Sequence, residues 1–236
     1  MARIIQNERT TMKIRTLVAS SITLLALAGL SAQGADSMSR FTARSGSKMR
    51  IDGTANMIHE HWQVESPIIG GYLEVGPGFP MEAGQPGTPG KIEAQAQAFV
   101  LVSSLKSVEA DGKPYSDAMD SVMYEHMKAD TFKRIDFRLT ELTLKESAKD
   151  KDSPYVFDAK GDLAVAGVTN SISLPVSIVF LPENKMKATG SVSVKMTSFK
   201  IDPPSPKVAL GMLKTGDDVK LSFEWLLGPA RKPATK

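Results

Sequence analysis

The sequence predicts an all-β domain with a single short helix. Apolar and polar residues alternate with a period of two through most of the chain after residue 90, which places every second side chain on the same face of a strand. Two such runs flank Gly167 and Asn170 and predict a β-hairpin, because both residue types tolerate a positive φ at a turn. Alternation alone does not distinguish a two-layer sandwich from a closed barrel.

Residues 1–34 are predicted to be a cleaved export signal, which implies a periplasmic or secreted protein. Two basic residues precede an apolar run at 17–30, and the small residues Ala32 and Gly34 occupy the cleavage positions. Met12 is a candidate for the true start, because the signal is complete from there. The apolar run is short for a membrane span, so we expect no integral span after cleavage; a retained anchor is the alternative.

Composition limits the class of protein. The chain has no cysteine, which excludes a disulfide framework and a cysteine-linked lipid anchor. Four of the 29 basic residues and one of the 26 acidic residues lie in the signal. The remainder is therefore near neutral and predicts no binding of nucleic acid. We assign residues 35–44 to a linker, 45–228 to one β domain and 229–236 to a flexible tail.

Two segments interrupt the strands. Residues 76–90 contain four prolines and several glycines, which predicts a long irregular loop of the kind that often borders a binding site. Residues 116–128 predict the helix, with Ser116 or Asp117 as its N-cap and methionines recurring every four residues on one face. This helix either gates one end of the domain or simply covers its core.

Small residues interrupt the apolar faces of the predicted strands and leave room between larger side chains. They are Ala94, Ala96, Ala98, Ala164, Ala188 and Gly190. Methionine is abundant relative to the aromatic residues, and its flexible thioether adapts to irregular or changing contents. Such faces predict either a cavity lining or a core filled by its own side chains.

Catalytic patterns are missing from the sequence. There is no cysteine nucleophile, no Gly-x-Ser-x-Gly turn and no phosphate-binding glycine loop, so we expect no enzyme, no metal and no cofactor. The three histidines are the one alternative. His59 and His61 share a strand face, and His126 on the helix would complete a metal site if the helix folded over that strand.

Several motifs together resemble the YceI-like family. Gly161–Val176 is similar to the family pattern Gly-x-Leu-x-x-x-Gly-Val-Thr-x-x-x-x-Leu-Pro-Val. The run from His59 to Trp62 and the Lys-Thr-Gly-Asp-Asp-Val run ending at Val219 also resemble family segments. Phe137 ends a segment that lacks the usual proline. The resemblance extends over nearly all of the chain after the signal.

This resemblance implies an extended, eight-stranded antiparallel, lipocalin-like barrel in the periplasm. It also implies a lipid ligand in the interior, a long isoprenoid such as a quinone or polyprenyl carrier, or a fatty amphiphile. A structural or interaction module with a filled barrel is the alternative, and whether the chain forms a homodimer stays open. The expected ligand-binding residues are Met57, Trp62, Val64, Val100, Val102, Met123, Met127, Phe137, Leu163, Val165, Leu174, Val176, Ile178, Val192, Val194, Met196, Phe223 and Trp225.

Overall fold

The structure, a computed structural model, describes residues 38–56, 61–205 and 214–230. The predicted export signal, Met57 and His59 lie outside them. The helices and strands are β1 (Ser39–Ala43), β2 (Lys48–Ala55), β3 (His61–Ser66), β4 (Gly70–Val75), β5 (Gly90–Ile92), β6 (Ala94–Leu101), β7 (Lys106–Val108), α1 (Asp117–His126), β8 (Arg134–Glu146), β9 (Tyr155–Val165), β10 (Val168–Leu181), β11 (Lys185–Lys195) and β12 (Thr215–Pro229), with short 3-10 helices at Val102–Ser104 and Met196–Phe199.

The strands form a closed, eight-stranded antiparallel barrel, which confirms the predicted fold. Five walls are single strands, β8 to β12, each paired with the next along the chain. The other three walls are broken strands made of consecutive pieces: β1 with β2, β3 with β4, and β5 with β6 and β7. The long strand β12 pairs with both β1 and β2 and so closes the barrel.

The first strand lies inside residues 35–44, which the sequence predicted as a linker. Phe41 pairs with Leu73 on β4 and with Pro229 on β12, and its side chain is buried. The domain therefore begins before residue 45, because the barrel cannot close without β1. Pro229, predicted as the start of the tail, is the last residue of β12.

The hairpin between β9 and β10 turns earlier than the sequence predicted. Val165 pairs with Val168, and the two residues between them, Ala166 and Gly167, have φ angles of 48° and 81°. Two successive positive φ angles are typical of the tight turns that match strand twist. Asn170 lies within β10 instead of at the turn, where its side-chain amide donates to the Ser198 carbonyl at 2.8 Å.

Charged residues occupy the outward face of the barrel. Glu141 lies 2.7 Å from the Lys160 ammonium and 3.1 Å from that of Lys91, and Arg138 pairs with Asp162 at 2.9 Å. The Lys160 hydrogen bond, followed by that of Lys91, holds the pKa of Glu141 below its ordinary value. Exposed pairs of this kind contribute about 0 to 1 kcal/mol each. The stability of the barrel therefore rests mainly on its apolar interior.

The loop at 76–90 closes one end of the barrel. Phe79 stacks on Phe157 with 5.5 Å between ring centroids, and both rings are buried. The Tyr155 hydroxyl donates to the Gln85 carbonyl at 2.7 Å, with the Glu82 carbonyl 3.1 Å away. Burial raises the pKa of Tyr155 above its ordinary value, so the hydroxyl remains a donor at neutral pH. This end is therefore packed and closed.

At the opposite end the wall opens between β7 and β8. The pairing of β6 with β8 ends at Leu101 and Arg134, and the Val102 N–H then donates to the Lys133 carbonyl at 2.9 Å. After this point β7 pairs with β3 and, among the described strands, with no strand on its other side. The helix α1 lies against that edge.

Tyr155→Phe tests the closure by the loop. Removing the hydroxyl leaves the Gln85 carbonyl oxygen without this donor, which should lower the free energy of unfolding by about 1 to 3 kcal/mol. Urea denaturation measures the loss, and limited proteolysis should show faster cleavage within residues 76–90. Tyr72→Phe is the control, because it keeps the aromatic ring under the Arg40 guanidinium. Equal stability of the two variants would contradict the proposed role of Tyr155.

Candidate ligand-binding cavity

A cavity of about 650 Å³ lies beneath α1 at the open end of the barrel, and we call it the outer cavity. This volume falls within the roughly 300 to 1,000 Å³ of typical small-molecule sites. Its lining comes from α1, from β2, β3 and β7, and from the ends of β8, β9, β11 and β12 nearest to the helix. The cavity therefore occupies the region where the wall is incomplete.

The helix is capped by Ser116, one of the two predicted caps, and places its methionines over the cavity. The Ser116 side chain accepts a hydrogen bond from the Met119 N–H at 3.3 Å. Met119 and Met123 are half-buried and Met127 is buried, and all three line the outer cavity. The shared face predicted from their spacing thus faces the interior of the barrel.

Side chains of α1 form hydrogen bonds to β7 and to Leu105, the residue before it. The Asp120 carboxylate accepts from the Ser107 N–H at 2.7 Å, and the Tyr124 hydroxyl donates to the Leu105 carbonyl at 2.6 Å. The Ser116 N–H also donates to the Ser107 hydroxyl at 3.2 Å. Backbone groups at an unpaired, buried edge are costly unless they are bonded. These contacts therefore attach the helix to the barrel at this edge.

The carboxylate of Asp120 is the buried charge of this attachment. It lies 3.0 Å from the Lys106 ammonium, while Lys106 itself remains half-exposed. Burial opposes ionisation of the carboxyl group most strongly, but the hydrogen bonds from Ser107 and Lys106 outweigh it. The pKa of Asp120 therefore lies below its ordinary value. Asp120 is ionised and paired at neutral pH.

The outer cavity carries a few polar groups. Gln63 lines it, and the Oε1 atom of Gln63 is buried with no hydrogen-bond partner among the described residues. His61 is exposed, whereas the Nδ1 atom of His126 lies 2.9 Å from the Asp202 carbonyl oxygen. Within the residues that the structure describes, no three side chains of His, Asp or Glu could hold a metal ion. His59, the third member of the alternative metal site, lies outside that range.

A second cavity, of about 150 Å³, lies deeper in the barrel, and we call it the inner cavity. Its exposed surface is entirely apolar. An engineered cavity of similar size in another protein stays dry and holds benzene. Trp225 lines the inner cavity and is buried, and its indole N–H has no partner among the described residues.

The interior stays open because aromatic rings lie against the wall over glycines. A Cβ atom at Gly161 would lie 2.4 Å from the Phe137 ring, and one at Gly190 would lie 2.9 Å from the Phe223 ring. Only glycine permits the ring to lie so close to the strand. Both rings line the inner cavity and remain only partly buried. The described barrel is thus not filled by its own side chains.

The predicted ligand-binding residues fall into three groups. One group lines the outer cavity: Trp62, Val64, Met123, Met127, Val165, Val194 and Met196. A second lines the inner cavity: Val100, Phe137, Leu163, Leu174, Val176, Ile178, Val192, Phe223 and Trp225. Val102 lines neither cavity, because it is buried in the 3-10 helix that follows β6.

Sequence reasoning missed several lining residues and misplaced three small residues. Ile135, Leu221 and Ala159 line the cavities and carry only the general signal of an apolar position in an alternating strand. Ala96, Ala98 and Ala188 lie at the inner cavity as the small-residue pattern suggests. Ala94, Ala164 and Gly190 line neither cavity; Ala164 alternates with the buried positions of β9.

Comparisons with known proteins agree with this fold. A model of the YceI-like domain matches residues 38–226, whereas no curated protein sequence is significantly similar to the chain. The crystal structure of BcnA from Burkholderia cenocepacia superposes with a TM-score of 0.53, at 14% identity, over 76% of this chain and 95% of that one. A polyisoprenoid binding domain from Saccharophagus degradans, implicated in plant cell wall breakdown, superposes with a TM-score of 0.56, at 10% identity, over 82% of this chain and 100% of that one. At these identities the likeness establishes a shared fold.

Asp120→Asn tests the attachment of α1. Loss of the charge should lower the free energy of unfolding at pH 7 by about 1 to 3 kcal/mol, because a hydrogen-bonded buried charge is removed. The folded-state pKa of Asp120 is lowered from an unfolded value near 3.9. Its contribution is therefore fully present above about pH 4 and is lost as the pH falls through the folded pKa.

Urea denaturation at a series of pH values should show the wild-type and Asp120→Asn curves converging below about pH 4. Asp111→Asn is the control, since Asp111 forms an exposed pair with Lys113 in the turn before the helix. A difference between wild type and Asp120→Asn that stayed constant down to low pH would mean that the charge of Asp120 contributes nothing.

Proposed function

The chain belongs to the YceI-like family, and on that premise we propose that it binds a long isoprenoid, such as a quinone or polyprenyl carrier, or a similar amphiphile. The observation that carries this proposal is an unfilled apolar interior that is open beneath α1 and closed at the far end. A tail inserted under the helix would reach a chamber with only apolar surface. The protein would act by holding the lipid, without covalent chemistry.

The distribution of polar groups determines how the ligand is oriented, with its headgroup in one cavity and its tail in the other. Gln63, His126 and Asp120 line the outer cavity, while the surface of the inner cavity is apolar. A headgroup that carries an O–H or N–H donor could donate to the unpartnered Gln63 Oε1 atom beneath the helix. A polar headgroup in the inner cavity would instead be desolvated at a cost. The headgroup therefore lies in the outer cavity and the tail points inward.

Transfer energies favour a long tail. Burying one methylene is worth about 0.8 kcal/mol, and association with ordering costs about 4 to 15 kcal/mol. A micromolar dissociation constant corresponds to about 8 kcal/mol of net binding energy. The tail would then need about fifteen to thirty buried carbons, which is several isoprene units. The similar fold of the Saccharophagus degradans polyisoprenoid binding domain supports this ligand class.

The proposed site of action is the periplasm. The predicted export signal at residues 1–34 supports it, as does the family to which the chain belongs. None of the helices in the described ranges has the length and apolar character needed to cross a membrane. The lipid would thus be carried or sequestered inside the barrel.

Mass spectrometry of lipids extracted from the folded, purified protein tests the proposal directly. We expect a long-chain lipid to co-purify or to exchange into the delipidated protein. Val176→Phe should reduce the bound lipid more than it reduces stability, because Val176 lines the inner cavity. Val179→Phe is the control, as Val179 lies on the opposite face of β10. A well-folded protein without bound or exchangeable lipid would refute the function.

For Val176→Phe, a loss of about 1 to 3 kcal/mol of stability with unchanged lipid content would place Val176 in a filled core. The corresponding change in the outer cavity is Val194→Phe, which should also lower the amount of lipid held.

A double substitution, Met123→Glu with Met127→Glu, tests the helix as the cover of the cavity. Two charges on the face over the outer cavity should weaken lipid retention and make α1 sensitive to proteolysis. The β signal in circular dichroism should remain, because the strand pairs are untouched. Glu125→Gln, an exposed change on the same helix, is the control. Global unfolding of the double variant would show that the helix belongs to the single core.

A further inference from the structure

We infer that Ile135 and Leu221 form the boundary between the two cavities and determine how long a tail the barrel accepts; the inference rests on the proposed function. Among the residues that line the cavities, only these two line both. They lie on β8 and β12, well apart in the chain. We call them the boundary pair.

The boundary lies at one level of the barrel. Leu221 pairs with Ile51, which lines the outer cavity, and with Val192, which lines the inner cavity. On the neighbouring strands, a residue that lines the outer cavity lies two positions from a residue that lines the inner cavity. In each of the following pairs the first residue lines the outer cavity and the second lines the inner cavity: Ile51 and Met49 on β2, Val165 and Leu163 on β9, and Val194 and Val192 on β11. On β12, Val219 lines the outer cavity and Phe223 the inner cavity, with Leu221 between them.

The two members of the pair differ in mobility. Ile135 is 4% exposed and β-branched, so packing and its stiff χ1 angle hold one shape. Leu221 is only partly buried and is not branched at Cβ, which leaves it a choice of rotamers. Leu221 is therefore the side chain that moves aside when a tail passes. A tail that stops at this level occupies the outer cavity alone.

The space beyond the boundary pair has a definite depth. Leu227 lies six positions after Leu221 and is the last residue of β12 that lines the inner cavity, about 20 Å along the strand at a rise of about 3.3 Å per residue. With a strand tilt of about 40°, this is roughly 15 Å along the barrel axis. We therefore expect the ligand to be an amphiphile whose tail extends beyond the outer cavity by no more than that distance.

The two tryptophans of the chain report on the two cavities separately. Trp62 lines the outer cavity and Trp225 lines the inner cavity. Trp225→Phe leaves only the outer reporter and Trp62→Phe leaves only the inner one. Fatty acids that carry bromine on their terminal carbon quench a tryptophan that the tail end contacts. A series of increasing length then shows where each tail ends.

The experiment titrates both delipidated single-tryptophan proteins with this series, alone and combined with Leu221→Phe. Short probes should quench Trp62 and leave Trp225 unquenched, whereas probes beyond a threshold length should quench Trp225. With Leu221→Phe we expect at least tenfold weaker apparent binding of the long probes at Trp225, with quenching of Trp62 by the short probes retained. Val194→Phe is the control, because it adds the same ring on the outer side of the boundary pair, in a residue that lines the outer cavity alone. It should weaken short and long probes alike.

Leu221→Ala provides the opposite test, which stands even if Leu221→Phe fails to fold. Removing the side chain should speed the quenching of Trp225 by long probes. Quenching of Trp225 by the shortest probes in the parent protein, or an unchanged Trp225 response in the Leu221 variants that fold, would overturn the inference while leaving the proposed function intact. Failure of every probe to quench either tryptophan, together with a folded protein that holds no bound or exchangeable lipid, would refute the proposed function itself.

Discussion

The need to satisfy the backbone of β7 determines the rest of this structure. On the side away from β3, β7 has no neighbouring strand among the described residues. From α1, the Asp120 carboxylate accepts from the Ser107 N–H of β7 and the Tyr124 hydroxyl donates to the carbonyl of Leu105, the residue before β7. The helix therefore lies beside the opening with its methionines over the interior. If the wall were complete, the barrel would have no opening at this end, and no strand edge would need hydrogen bonds from the helix. The unpaired edge and the outer cavity are therefore two aspects of one departure from a regular barrel.

The second determinant is the volume of the inward side chains. Eight strands enclose a space just wide enough for ordinary side chains to fill. A cavity therefore exists only where the inward side chains leave part of that space empty. Ala159 and Ala188 are small, and the Phe137 and Phe223 rings lie close to glycines. At the other end, Phe79 and Phe157 are stacked and buried. The same strands thus build both a packed end and an open one.

Local features of the fold were accessible to sequence reasoning, and long-range ones were not. Alternation predicted the strands, and the methionine spacing with Ser116 predicted α1, because periodicity and capping are local properties. The role of β1 was missed, since its pairing with β12 joins residues from opposite ends of the domain. Alternation marks an inward position, but it cannot show whether the space beyond that position is filled. Val102 and the boundary pair could therefore not be assigned to their places before the distances were known.

Because one end is packed and the other open, the two ends of the barrel are not equivalent, and this affects how lipid would be exchanged. Because the Phe79–Phe157 stack and the Tyr155 hydrogen bond close that end, a tail can leave only by the route through which it entered. The headgroup would then be the last part to be enclosed and the first to be released. A donor or acceptor membrane would have to meet the α1 side of the protein on both occasions. Loading and delivery would compete for one surface, so that the direction of transfer follows from the relative affinity of the two membranes for the lipid.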